Sequence, residues 1–197
     1  KGFVQYRSLD FEAALTSFNT ALTEMEQQKS PAGPVAVTNA LIAQTYLVQK
    51  DFENAGKHYK KAYDGFLSSG DIKANARIGV QLAEIAIRKD DDAAAQKYLV
   101  QSLAYFEKYN DKSGQALVYR DMGIIKFKNG NYNGAISDYN KSLSLSGQLS
   151  VAKLLKNTYL KLFTLKSISG EHEASNEINI FYVQLRDSID EVERSRI

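Results

Sequence analysis

Chemistry in this chain would have to start from histidine, carboxylate or serine side chains, because it contains no cysteine. The two histidines, His58 and His172, each fall near the start of a helical pattern with no second histidine at ligand spacing. Both read as solvated residues of a first helical turn rather than as general bases or metal ligands. Asp90, Asp91 and Asp92 form a run that could hold a hard cation, but the glycine and distal glutamate of a calcium loop do not follow. The run reads instead as negative charge at a helix N-terminus. Ser142, Ser144 and Ser146 alternate near a helix end with no base close in sequence. A phosphate-binding glycine loop, a dinucleotide fingerprint and a nucleophile elbow are all missing. The sequence therefore predicts no catalytic residue, no metal site, no cofactor and no enzyme activity.

What remains is binding, and the elements that would position it are helical. Residues 116–147 read ALVYRDMGIIKFKNGNYNGAISDYNKSLSLSG. One helical pattern carries Tyr119, Met122, Gly123 and Phe127, then stops at Asn129-Gly130-Asn131; a second carries Tyr132, Ala135, Ile136, Tyr139 and Leu143. Two amphipathic helices around a tight glycine turn make a helical hairpin. The small Gly123 and Ala135 allow close approach of the backbones, with the aromatics filling the space around them. A lone hairpin cannot bury both apolar faces, so copies are expected.

The copies are present. Ala14, Ala55, Ala95, Ala135 and Ser175 follow one another at intervals of 41, 40, 40 and 40 residues. Four residues after each comes Phe18, Tyr59, Leu99 or Tyr139, with Asn179 the exception. Phe11, Phe52 and Tyr132 precede by three, whereas Asp92 and His172 break that pattern. Ile42-Ala43, Leu82-Ala83, Met122-Gly123 and Leu162-Phe163 share one phase in the first helices.

The pattern resembles a tetratricopeptide repeat, with Tyr119, Met122, Gly123, Gly130, Tyr132, Ala135, Tyr139 and Leu143 on the family's signature positions. The usual unit is about 34 residues, and the extra positions here lengthen each helix by about a turn. The resemblance implies an all-α fold, a right-handed α-α superhelix of about four and a half helical hairpins. The expected units are 1–30, 35–70, 72–110, 113–147 and 150–184, with 185–197 as an exit helix. Lys29 to Val35, with Pro31 and Pro34, is expected to be a turn. The chain begins at Lys1-Gly2-Phe3 in the middle of a helical pattern, which predicts a piece of a larger protein.

A tetratricopeptide-like array implies a concave face lined by first helices and a protein or peptide segment as partner. The positions at that phase are Val37, Ala40, Gln44 and Leu47; Arg77, Val80, Glu84 and Ile87; Leu117, Arg120, Ile124 and Phe127; and Asn157, Leu160 and Thr164. In several family members basic and amide residues at these phases clamp a terminal carboxylate, which Arg77 and Arg120 could fork onto. The full clamp set is missing here. A mixed groove with apolar strips at Val80, Ile87, Ile124 and Phe127 suits a peptide or a helix better, although about half of these positions would pack on neighbouring helices instead.

Charge and hydropathy narrow the partners. Twenty-five basic and 23 acidic residues, interspersed along the chain to a net +2, argue against a nucleic-acid footprint. No apolar run reaches about 18 residues, so no membrane insertion is expected. The final helix carries Ile178, Tyr182, Leu185, Ile189 and Val192 at heptad spacing. That seam reads either as a cap packed on the preceding hairpin or as the start of a coiled coil, with a homodimer through the C-terminal helix as one consequence. The closing FYVQLRDSIDEVERSRI resembles the junction in bacterial sensor histidine kinases that carry such repeats. This second resemblance implies the ligand- or partner-sensing region of a signal-transduction protein, extracytoplasmic and membrane-anchored elsewhere. The alternative is a cytoplasmic scaffold.

Overall fold

Turn chemistry repeats along this chain even more regularly than its core. The computed structural model describes Gly2, Tyr6 and residues 10–195. Among the described residues the regular structure is helical throughout, in nine helices: α1 Phe11–Gln27, α2 Ala32–Val48, α3 Phe52–Ser69, α4 Ile72–Arg88, α5 Asp92–Lys108, α6 Lys112–Lys128, α7 Tyr132–Ser146, α8 Leu149–Ile168 and α9 His172–Arg194. Gly2 and Tyr6 are helical as well; the rest of the expected helix over residues 2–8 lies outside the described residues.

Six of the helices start on an aspartate or asparagine whose side chain accepts from the amide three residues on. Asp10 takes Ala13, Asp51 takes Asn54, Asp71 takes Ala74, Asp91 takes Ala94, Asp111 takes Gly114 and Asn131 takes Gly134, at 2.9–3.1 Å. Each cap satisfies one of the amides that a helix start leaves unpaired. Asp91 is such a cap, so the acidic run does what its position at a helix start predicts.

Between successive helices the backbone turns left-handed, at Lys29, Lys50, Gly70, Asp90, Asn110, Gly130, Gly147 and Gly170. In most of these turns the next amide reaches back five residues: Asp51 to Tyr46 O, Asp71 to Phe66 O, Asp91 to Ala86 O, Asp111 to Phe106 O, Asn131 to Lys126 O and Glu171 to Lys166 O. This is the Schellman closure, and it ends one helix where the next cap begins. Lysine at φ 62° is strained where glycine is not. Lys50→Gly is therefore expected to stabilise the chain by about 0.5–1 kcal/mol, read as a higher urea midpoint.

Helix boundaries differ from the sequence expectation in two places. α2 starts at Ala32, with Pro31 as its N-cap and Pro34 inside the first turn. The first-turn amide that proline lacks has no intrahelical acceptor anyway, so neither proline delays the helix. α8 is 20 residues long and begins at Leu149 directly after Gly147-Gln148, without a polar side-chain cap.

Two compact units make up the chain, residues 1–105 and 106–197, divided near the end of α5. In the first, Ala14, Phe18, Leu22 and Ile42 form one buried cluster, and Ala43, Ala55, Tyr59, Leu82 and Ile85 another. In the second, Ala135, Tyr139, Val151 and Leu155 form the core, with Ile124, Phe127, Leu143 and Leu185 packed against it. The expected anchors Ala14, Ala55, Ala95 and Ala135 are all fully buried. Close approach follows at the small residues. A Cβ on Gly123 would stand 2.5 Å from the Tyr139 ring, and one on Gly2 would stand 2.7 Å from Phe18 in the same relative position. Ser102 Oγ donates to Ala76 O at 2.8 Å and Ser142 Oγ donates to Ala116 O at 2.7 Å, each tying the two helices of one hairpin. Ser142 is thus a structural hydroxyl.

The last hairpin departs from the rest. Tyr182 stands where Ala62, Ser102 and Ser142 stand earlier, and Asn179 where Tyr59, Leu99 and Tyr139 stand. α9 is nevertheless one continuous helix that stays on the array beyond residue 185. Leu185 packs on the second-unit core, Ile189 is buried, and Glu193 pairs with Lys153 of α8 at 2.5 Å. The segment expected as an exit helix, 185–197, forms the C-terminal part of α9 as far as the described residues reach. The heptad spacing that suggested a coiled coil is also that of a narrow amphipathic stripe. Here Leu185 and Ile189 of the stripe turn to the array, and Val192 is exposed.

Candidate binding site

The predicted groove residues fall into three groups once burial is known. In the first unit Gln44 and Arg77 are exposed, as is Val37. Glu84 is half-buried and pairs with Arg88 at 3.1 Å, while the Arg88 guanidinium lies 5.0 Å from the Phe52 ring centre. Glu84 is thus committed within its own helix. Val80 and Ile87 are buried, so they serve the core and cannot form apolar strips on a surface. The i, i+7 spacing alone could not separate a groove residue from a core residue one helical face away.

In the second unit Asn157, Leu160 and Thr164 are exposed on α8, and Thr164 Oγ1 donates back to Leu160 O. Ile124 and Phe127 are half-buried and packed on the Ala135–Tyr139 core, with the Phe127 ring edge-on to Tyr132 at 5.4 Å. Arg120 is largely buried, and its Nε donates to Asp121 Oδ1 at 2.7 Å; the Asp121 side chain is 1% exposed. Arg120 is therefore structural at least in part, which composition and spacing did not reveal. The buried Asp138 likewise meets Lys126 Nζ at 2.6 Å. Burial first, then the nearby Asp121 and Asp138 carboxylates, push the Tyr139 phenol well above its ordinary range, so it stays protonated.

His58 is the other polar group that sequence reasoning placed differently. It is half-buried rather than solvated, stacks on Tyr46 at 5.9 Å, and has Nδ1 2.9 Å from Asn39 Oδ1. Asn39 Nδ2 donates to Val35 O, which turns its Oδ1 toward the imidazole as an acceptor. Nδ1 therefore carries the proton. Burial, and then the Lys61 charge, lower the His58 pKa. The folded chain thus binds fewer protons at this site than the unfolded chain, and stability falls as the pH drops through the ordinary histidine value of 6.5. Urea midpoints measured at about pH 7.5 and about pH 5.5 should differ for the parent chain, and His58→Gln should shrink that difference. His172 is exposed, as expected.

Titratable groups do not converge into a catalytic constellation at any of these positions. Among the described residues no group of three or more metal-ligating side chains comes together. None of the helices is long and apolar enough to cross a membrane, again among the described residues. What the predicted positions offer is a set of outward side chains of mixed chemistry on first helices, fixed to a regular core.

Comparison with known proteins agrees with that geometry. The description of soluble NSF attachment protein, SNAP, matches residues 7–191, nearly the whole chain. The chain belongs to the SNAP family. Its repeat is the SNAP-like form of the tetratricopeptide-type hairpin. No curated protein matches the sequence of this SNAP-family chain. Several solved structures share its fold. BtubC (BKLC) from P. vanneervenii superposes with a TM-score of 0.71 at 17% identity over 96% of this chain and 78% of its own. MamA superposes at 0.69 and 17% identity over 98% and 96%. The apo form of RapI superposes at 0.71 and 15% identity over 95% of this chain and 52% of its own. At such identities the likeness is one of fold.

Proposed function

We propose that this SNAP-family chain is a protein-binding helical-repeat module that performs no chemistry, and that it takes a peptide or helical segment of a partner on its first helices. The observation that carries this reading is variety at a fixed outward phase. Val37, Arg77 and Asn157 are exposed at one repeat position, and Gln44 and Thr164 at another, each a different side chain on the same scaffold. The core positions in between keep one chemistry, as at Ala14, Ala55, Ala95 and Ala135. A surface free to vary on an invariant frame is how repeat arrays specify partners. Gln44 and Arg77 in the first unit, and Asn157, Leu160 and Thr164 in the second, are the residues assigned to contact. In the second unit, the half-buried Ile124 and Phe127 add apolar surface on α6.

Panning a random-peptide phage library against the intact chain, with Leu160→Asp and Arg77→Glu variants as counter-targets, tests the reading. Peptides that hold the parent chain and lose one of the variants support it. Peptides that hold all three equally, or no enrichment at all, contradict it.

Two settings for such a module remain in view. The charged segment 181–197 supports the partner-sensing region of a larger signal-transduction protein of the sensor histidine kinase type. The packing of α9 through Ile189 supports a scaffold whose array ends in a cap. Residues following Ile197 in the parent gene separate them: a span of about 20 apolar residues favours the sensor, a polar continuation the scaffold.

A further inference from the structure

We propose that the last hairpin, α8 with α9, is a self-complementary surface on which a second copy of this chain docks. Its outward side carries large apolar residues that the chain itself does not cover: Leu165 and Ile168 on α8, the latter 80% exposed, and Ile180 and Phe181 on α9, both more than half exposed. The Phe181 ring stacks on Tyr159 of α8 at 5.8 Å, so both helices carry apolar side chains open to solvent. Repeat phase shows that the fold does not require this. Phe181 stands where earlier repeats place Lys61, Gln101 and Lys141, all exposed. Leu165 stands where they place the buried Thr45, Ile85 and Ile125, yet it is 40% exposed.

Charge chooses the occupant. α8 carries Lys153, Lys156, Lys161 and Lys166 and no acid. α9 carries six acids, Glu173 and Glu177 among them, against Arg186 and Arg194. Some of this charge is used within the chain, in Lys153–Glu193 and Lys166–Glu171. Among the described residues Lys161 and Glu177 have no ion-pair partner. A two-fold arrangement that lays α8 of one copy on α9 of the other satisfies both signs twice and covers the apolar surface, as an isologous interface requires. The heptad stripe of α9 is not the interface, because Leu185 and Ile189 already face the array.

Sedimentation velocity on the intact chain, from about 1 to about 100 µM and at low and high salt, reads the result. The expected outcome is a dimer that weakens as salt rises and is lost in Phe181→Glu. Lys161→Glu and Glu177→Lys should each weaken it, and the two together should restore it. Far-UV circular dichroism of each variant should match the parent and exclude unfolding as the cause, while the melting temperature falls with the dimer it has lost. Phe181→Glu changes no residue assigned to peptide contact, so a variant that loses the dimer and still binds the panned peptides separates this test from the panning experiment. A chain that stays monomeric throughout, including one that captures an acidic amphipathic peptide on α8 instead, overturns the proposal. So does a dimer that Phe181→Glu leaves intact.

Discussion

Tyr139→Ala is expected to destabilise the chain by about 3–5 kcal/mol, the range for removing a buried aromatic side chain. Tyr139 is among the largest fully buried residues, and its ring covers the bare backbone of Gly123 where the two helices of the α6–α7 hairpin cross. The cavity it leaves is lined by Ala135, Val151 and Leu155, short or branched side chains with little reach to refill it. Gly123→Ala should cost about 1–3 kcal/mol alone, because its methyl would stand 2.5 Å from a ring that is packed on all sides. In the Tyr139→Ala background the same methyl gains space and should cost close to nothing. Urea midpoints of the four chains form the cycle that measures this coupling. Additive costs would mean that ring and glycine are not in contact, and the hairpin register drawn from the repeat would fail with them.

Arg120→Ala is expected to cost about 2–4 kcal/mol, below the full range for breaking a buried pair because the guanidinium is 24% exposed. The loss comes from Asp121, whose carboxylate is almost wholly buried and would be left without the charge 2.7 Å away. Pairing the change with Asp121→Asn should recover much of the loss, since the uncompensated charge goes too. A neutral effect of Arg120→Ala in urea unfolding would return Arg120 to the surface group and make it available to a partner carboxylate. Spacing alone gives that neutral effect, because it counts Arg120 as an outward residue of α6. The pair with buried Asp121 is the reason to expect a cost instead.

That reversal marks where the sequence stops being legible. Core positions could be read because they repeat: Ala14, Ala55, Ala95 and Ala135 are spaced by the scaffold, and all four are buried. Caps could be read too, since aspartate or asparagine before a helical pattern has one strongly favoured use there. Polar residues inside the helices could not. Asp121, Asp138 and His58 look like solvent-facing residues in the sequence, and each is drawn inward by a partner on another part of the chain or by a neighbour: Arg120, Lys126 and Asn39. Such pairings have no period, so no repeat announces them. The candidate site suffers most from this. Val80 and Ile87 shared the groove phase with Gln44 and Arg77, yet a rotation smaller than one residue's share of the helix decides which side chain is covered. The end of the array was half legible. Asn179 and His172 announced an atypical last hairpin, whereas the direction taken by α9 after Leu185 depended on packing that the heptad spacing left open.

First helices on a repeated core are proposed to bind a protein segment. Hydrogen exchange on the intact chain, with and without a saturating peptide recovered from panning, tests it most directly. New protection is expected in α4 or α8, around Arg77 or around Asn157, Leu160 and Thr164, with the second helices α5, α7 and α9 unchanged. Protection confined to α7 or α9 would contradict it.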